Sequence, residues 1–427
     1  MNRRDFILTG AAGALAAGMG TSFSAVAAEG RESLISHDVP PRNRRPYKGL
    51  DWSKVQRVKT TSHGHCTSQE MLDVYLKRGF GLLTMSNYYP SAPYVPASKM
   101  TRNYWALHHD FPVMVKGVRT DGPFDWNAII STWKDELPPA IARRLPLKEG
   151  AKLFKPLPDG VLEAPNAEHH GFKWENGKWA QNVHMCAPGS AFKSGTFDAH
   201  SVFKTVSHGY YFGSGERWET AVDRIIDGLV VKDGGGVTIN HPTWTKLSRD
   251  RLAKMLDYDP RVLGIEVLEC CGVNSENYWD WALATGRQCF GFFVPDWGAS
   301  KETKRGIDPK RDFGVNVLCV EERTVEACLR AYRQGNFYGA AHGLDELAFT
   351  NISFDGKTLY AQTDRPAKLE VITARGVVKS VEAASVEWEV TPNGHCVGPG
   401  VDVFARVRAE SVDGAGETLF SQAMMLV

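Results

Sequence analysis

Short apolar runs alternate with stretches of helical period as far as about residue 340, and beyond that point only with turn signals. The β-favouring run 55–61 opens into Ser62-His63-Gly64-His65-Cys66, and Thr67-Ser68-Gln69-Glu70 then reads as a capping box for a short helix that ends near Arg78 and is stopped by Gly79. An apolar strand over 80–85 opens onto Ser86-Asn87-Tyr88, and a strand over 113–118 opens onto Arg119. The clearest helix carries Trp218, Ala221, Val222, Ile225, Ile226, Leu229 and Val230 on one face, with Asp233-Gly234-Gly235-Gly236 at its end. Strands over 237–240, 262–268 and 288–294 follow, with a helix over 277–284; they open onto His241-Pro242, Glu269 and Pro295-Asp296-Trp297.

Strand, loop, helix, strand predicts an α/β fold of β/α repeats, interrupted by a long irregular insertion over about 125–214. From Leu347 onward the runs 369–373, 386–390 and 401–407 are separated by Phe354-Asp355-Gly356-Lys357, Asp364-Arg365-Pro366 and Thr391-Pro392-Asn393-Gly394. That texture predicts a small all-β sandwich over 341–427.

Composition adds bounds. The chain has 427 residues, with 50 Lys plus Arg against 49 Asp plus Glu, and removing Arg3, Arg4 and Asp5 leaves 48 of each. A neutral body argues against nucleic acid or a membrane surface as partner. Asn2-Arg3-Arg4-Asp5-Phe6-Ile7-Leu8, an Ala/Gly-rich apolar run and Ala25-Val26-Ala27-Ala28 read as a twin-arginine (Tat) signal over 1–28, with the Tat machinery as partner and a periplasmic or secreted destination. Residues 29–54 are a polar linker or arm, the apolar leader is too short and glycine-rich for a membrane span, and no later run reaches that length. The eight cysteines contain no CxxC pair and read mainly as small buried hydrophobes.

His63 and His65 flank a glycine just past a strand, so that both rings can turn toward one point, a metal-ligand geometry. His63, His65, Arg119, His241, Glu269 and Asp296 each fall just past the C-terminal end of a predicted strand, where a β/α barrel builds its active site.

With these residues the chain resembles the PHP (polymerase and histidinol phosphatase) superfamily of metal-dependent hydrolases, in an exported branch with a C-terminal β-sandwich. His63-Gly64-His65 matches that family's first His-x-His. Glu168, after Asn166-Ala167, looks like its bridging glutamate, His184 like the ligand that follows, His241-Pro242 like its His-Pro, and Asp296 like its last aspartate. Ala327-Cys328-Leu329 through Gly335-Asn336-Phe337-Tyr338 looks like its closing helix. The resemblance implies a distorted seven-stranded (β/α) barrel, TIM-like, over 55–340, with the sandwich after it. Where the family has an aspartate and a histidine this chain has Asn87 and Tyr88, and where it has Asp-x-His the chain has Asp296-Trp297-Gly298. The missing ligands serve largely a third metal, which implies one or two ions.

Four imidazoles and two carboxylates suit zinc, manganese or iron. The reaction implied is hydrolysis of a phosphomonoester or phosphodiester by metal-activated water, with Arg119 or Lys246 as the clamping cation and Tyr88 or His170 as the proton donor. Asn87 retains an amide oxygen at a lost ligand position. Trp244 and Trp297 adjoin candidate ligands and suit stacking on a sugar or aryl group, so a small-molecule or glycan-derived ester is the expected substrate. Two alternatives stand beside this: a carboxyl- or carbamate-ester hydrolase on the same site, and a degenerate barrel that binds glycans or phosphorylated sugars without cleaving them.

Overall fold

The computed structural model describes residues 39–66, 69–86, 114–115, 118–119, 155–175, 178–190, 218–268, 273–299, 314–341, 347–390, 402–414 and 416–426, with the backbone alone over 114–115, 118–119, 170–175, 178–182 and at 220. Strand β1 (Gln56–Thr60) buries Val58 and Thr60 in alternation. Helix α1 (Gln69–Lys77) buries Met71, Leu72, Val74 and Tyr75, and Gly79, at φ +74°, stops the chain from continuing it. Strand β2 (Leu82–Leu83) follows. The chain divides into two units: residues 1–40 with 112–122, and residues 41–111 with 123–427. The first contributes the short pair β3 (Met114–Val115) and β4 (Val118–Arg119), antiparallel to each other. The single strand expected over 113–118 is therefore two, and Arg119 lies within the second instead of past its end.

Everything else belongs to the second unit. Strand β5 (Leu162–Glu163) pairs parallel with β2. Strands β6 (Glu168–Glu175) and β7 (Lys178–Cys186) form an antiparallel hairpin, so this part of the expected irregular insertion is regular sheet. Helix α2 (Trp218–Asp227) leads to β8 (Val237–Ile239), α3 (Arg249–Tyr258), β9 (Val262–Leu268), α4 (Glu276–Ala284) and β10 (Phe290–Phe293). The sheet order β10-β9-β8-β7-β6 is parallel over its first three strands. Trp218, Val222, Leu252, Met255, Trp279 and Leu283 pack with Ile239, Ile265 and Val267 in one apolar cluster, which is why β9 reads as a continuous apolar run. Helix α2 ends before Leu229 and Val230, because Leu229 forms a bridge with Ser190 and Val230 N donates to Gly189 O at 2.9 Å.

Strand β11 (Val315–Val320), helix α5 (Val325–Gln334), capped by Thr324 and by left-handed Gly335, and β12 (Phe337–Ala341) complete the expected closing segment. Strands β13 (Phe349–Phe354), β14 (Thr358–Thr373), β15 (Gly376–Glu389), β16 (Phe404–Ser411), β17 (Thr418–Phe420) and β18 (Met424–Met425) follow. Because β17 pairs with both β12 and β16, these strands continue one nine-stranded sheet that starts at β1. Asp364-Arg365-Pro366 does not end a strand; β14 runs through it with a register shift between Gln362 and Ala367, which leaves the proline outside the ladder.

The named strands lie in open sheets, β1 pairing antiparallel with β11, and not in the closed (β/α) barrel expected. Isolated parallel bridges join Lys59 to Phe80 and Gly64 to Asp296. No helix among the described residues is long and apolar enough to cross a membrane.

Candidate metal centre

The segments that leave β1, β2, β7, β8 and β10 are laced together by main-chain bonds. Asp296 N donates to His63 O and His65 N donates to Asp296 O, each at 3.0 Å, so the loops after β1 and β10 run side by side. Ser86 N donates to Gly64 O and Glu168 N to Ser86 O, each at 2.9 Å, and Asn240 N donates to His184 O at 2.9 Å. The buried Asn166 side chain donates to Ser62 O and Thr84 O at 2.7 and 2.9 Å, and accepts from Ala187 N at 2.8 Å. Gly64 is required by close approach: a Cβ there would lie 2.7 Å from Tyr75 Oη, the hydroxyl that donates to His65 O.

This scaffold brings together side chains distant in sequence. His63 Nε2 lies 3.3 Å from His65 Nε2, 3.3 Å from Glu168 Oε2 and 3.1 Å from Asp296 Oδ1. His65 Nε2 lies 3.2 Å from Glu168 Oε2 and 3.3 Å from Asp296 Oδ1. Glu168 Oε1 is 3.0 Å from His184 Nδ1 and 3.5 Å from His241 Nε2. Three sets have ligand atoms within 4.8 Å of one another: His63, His65 and Asp296; His63, Glu168 and His241; and His63, Cys186 and Glu266.

The donor set fits a divalent cation. The carboxylates of Glu168, Glu266 and Asp296 surround buried imidazoles whose nitrogens approach one another, an arrangement that repels itself unless positive charge is supplied. Burial opposes charge on His63, but the acidic groups around it, Asp296, Glu266 and Glu168 among them, outweigh burial and hold its pKa well above the ordinary imidazole value. Burial likewise opposes charge on His241, and the bond to Glu168 with the charge of Glu266 raises its pKa. Burial works against the Asp296 carboxylate, yet His63 and His65 hold its pKa far below the usual range. His241 Nδ1 is buried and has no hydrogen-bond partner among the described residues. His241 and Asp296 also adopt left-handed backbone, at φ 27° and 45°, a strained region for non-glycine residues that recurs at functional sites.

Other residues named from sequence fall differently. Trp297 stacks on His65, with ring centroids 4.1 Å apart, and so backs a candidate ligand. Trp244 is 61% exposed and meets His184 and His241 edge-on, at 5.5 and 5.2 Å. Lys246, on the same loop, is exposed with φ 52°. His170 pairs in register with His184 across the β6–β7 hairpin, its side chain lying outside the described residues. The Arg119 side chain, Asn87, Tyr88 and Glu269 lie outside them too. Gly298 occupies the turn after Asp296, its N donating to Pro295 O.

Sequence reasoning passed over Glu266, which is fully buried. The available signal was a carboxylate inside the otherwise apolar Val262-Leu263-Gly264-Ile265-Glu266-Val267-Leu268. Cys186 also adjoins the centre, accepting from Asn240 Nδ2 at 3.1 Å; burial pushes its thiol pKa up. The four other cysteines among the described residues are buried.

No protein-family profile matches the chain, and no curated protein matches it. Among solved structures it is similar to a two-domain protein containing a predicted PHP-like metal-dependent phosphoesterase from Bacteroides vulgatus. The two share 13% identity over 90% of this chain and 99% of that one, with a TM-score of 0.40.

Proposed function

We propose that this chain is an exported metal-dependent hydrolase of PHP-like architecture that cleaves a phosphomonoester or phosphodiester. The observation that carries the reading is the convergence of His63, His65, Glu168 and Asp296, with donor atoms 3.1 to 3.3 Å apart, backed by His241 and His184 on Glu168. The bridges of Gly64 to Asp296 and Lys59 to Phe80, with the bond from Glu168 N to Ser86 O, hold the loops that carry these donors side by side. The Arg3-Arg4 leader supports twin-arginine export of an already folded protein to the periplasm or beyond.

One or two ions of zinc, manganese or iron, bound by these residues, would supply Lewis acidity toward an ester oxygen and a water of lowered pKa. The protein's own part is to hold the donors before substrate arrives. Glu168 spans the cluster, one oxygen toward His63 and His65 and the other toward His184 and His241. Trp297 fixes the His65 ring by stacking, and the exposed Trp244 offers a face to a cyclic group on the substrate. Lys246 is assigned the cation that meets a phosphoryl oxygen, and Tyr88 or His170 the proton for the leaving group.

The test is turnover of p-nitrophenyl phosphate, bis(p-nitrophenyl) phosphate and p-nitrophenyl acetate by protein reconstituted with each metal. Phosphoester cleavage that is lost in Asp296→Asn supports the proposal. Cleavage of the acetate alone moves the chain to the carboxyl-ester class, and metal binding without turnover of any of the three makes it a binding protein.

A further inference from the structure

Glu266 is the charged residue of an otherwise apolar strand, and it has no lysine or arginine partner among the described residues. A buried carboxylate is costly unless its oxygens are paired and hydrogen-bonded, so its retention asks for a role. Its two oxygens are used separately. Oε1 accepts from His63 Nδ1 at 2.8 Å, and Oε2 accepts the His241 backbone N–H, also at 2.8 Å. We propose that Glu266 is the positioning residue of the metal centre, one carboxylate that sets the ring of His63 and the strained backbone of His241 together.

The inference rests on the metal-centre reading above and extends it to a residue outside the proposed ligand set. A proton held on His63 Nδ1 leaves Nε2, the nitrogen aimed at Glu168, Asp296 and His65, as the lone pair that ligates. The bond to His241 N holds the loop after β8 at φ 27°, the conformation from which His241 Nε2 reaches Glu168. Because Oε1 and Oε2 belong to one planar group on a buried strand, the two ligands cannot drift independently. Glutamine at 266 keeps the volume but offers one acceptor oxygen and one amide donor, so it can serve only one of the two N–H groups.

The experiment compares cobalt(II) binding by the wild-type protein and Glu266→Gln, read by competition with a chromophoric chelator and by the visible d–d bands, with urea unfolding of both metal-free forms. Loss of an outer carboxylate on a ligating histidine typically weakens metal binding about 10- to 100-fold. The expected result is a weakening of that size with altered cobalt bands in a variant that still unfolds cooperatively. Wild-type affinity and bands in the variant would overturn the proposal. A second measurement does not depend on the variant folding: nitrogen-15 histidine spectra of zinc-loaded wild-type protein should show His63 protonated at Nδ1 and metallated at Nε2. Metal on Nδ1 would overturn the proposal, whereas a wild-type protein that takes up no metal would overturn the metal-centre reading itself.

Discussion

Replacing Gly64 by alanine tests the link between packing and the metal centre. The new methyl would lie 2.7 Å from Tyr75 Oη, 3.0 Å from Thr61 Cγ2 and 3.3 Å from Tyr75 Cζ, so Tyr75 must move. Tyr75 is fully buried, meets Phe80 edge-on at 5.1 Å and donates to His65 O at 3.0 Å, so it cannot move freely. Overpacking costs about 1–3 kcal/mol. The stranded His65 carbonyl adds about 1–3 kcal/mol. The lower entropy of the unfolded chain returns about 0.4–1 kcal/mol. The expected net loss is therefore roughly 1–6 kcal/mol in urea unfolding of the metal-free protein, together with weaker metal binding as His65 shifts. Removing the hydroxyl first should relieve the closest contact, so in Tyr75→Phe the added Gly64→Ala should cost at least about 1 kcal/mol less. A Gly64→Ala protein as stable as wild type, with unchanged metal affinity, would refute the reasoning.

Metal uptake should depend on pH through His63 and His241, whose pKa values lie above the ordinary imidazole value in the metal-free protein. A cation must displace those protons, so affinity should rise with pH above about 6.5, by up to about tenfold per unit for each proton released. Calorimetry in buffers of different ionisation enthalpy would count the protons, and a pH-independent affinity would contradict the assignment. For the metal-free fold, the stability from His63 is fully present below the ordinary imidazole value and is lost as pH rises through its raised folded value. The contribution of Asp296 is present above the ordinary carboxylate range and is lost as pH falls through its depressed value. Trp244→Ala removes an exposed side chain, so stability should change by no more than about 0.5 kcal/mol, while KM rises for aryl esters and not for alkyl ones. Equal changes for both would remove Trp244 from substrate binding.

The parts of the site legible in the sequence share one property: they follow short apolar runs whose period and length identify strands. Thr60, Ile239 and Phe293 end β1, β8 and β10, and His63, His241 and Asp296 come two or three residues later. The hairpin β6–β7 is hard to read because it alternates only over the short runs Phe172-Lys173-Trp174-Glu175 and Asn182-Val183-His184-Met185, inside a long stretch rich in turn residues. Its one clear signal was Asn176-Gly177 between Trp174 and Trp179, a dipeptide suited to a two-residue hairpin loop. The antiparallel pairing of β1 with β11, and of β12 with β17, links residues far apart in sequence and leaves no local trace. Asp364-Arg365-Pro366 carries a turn signal, but a proline is tolerated where a strand shifts register, as β14 does there. Glu266 escaped notice because a strand buried on both faces reads as an apolar run, within which one carboxylate looks like noise until its partners, His63 and His241, are seen.

The proposed function stands on a divalent transition metal held by His63, His65, Glu168, His241 and Asp296. Plasma mass spectrometry of leaderless protein, purified without chelator or nickel resin, tests it most directly. The wild-type protein should carry one or two equivalents of zinc, manganese or iron, and His63→Ala and Asp296→Ala should each carry less. A protein that carries none of these metals, and takes up none on reconstitution, would contradict it.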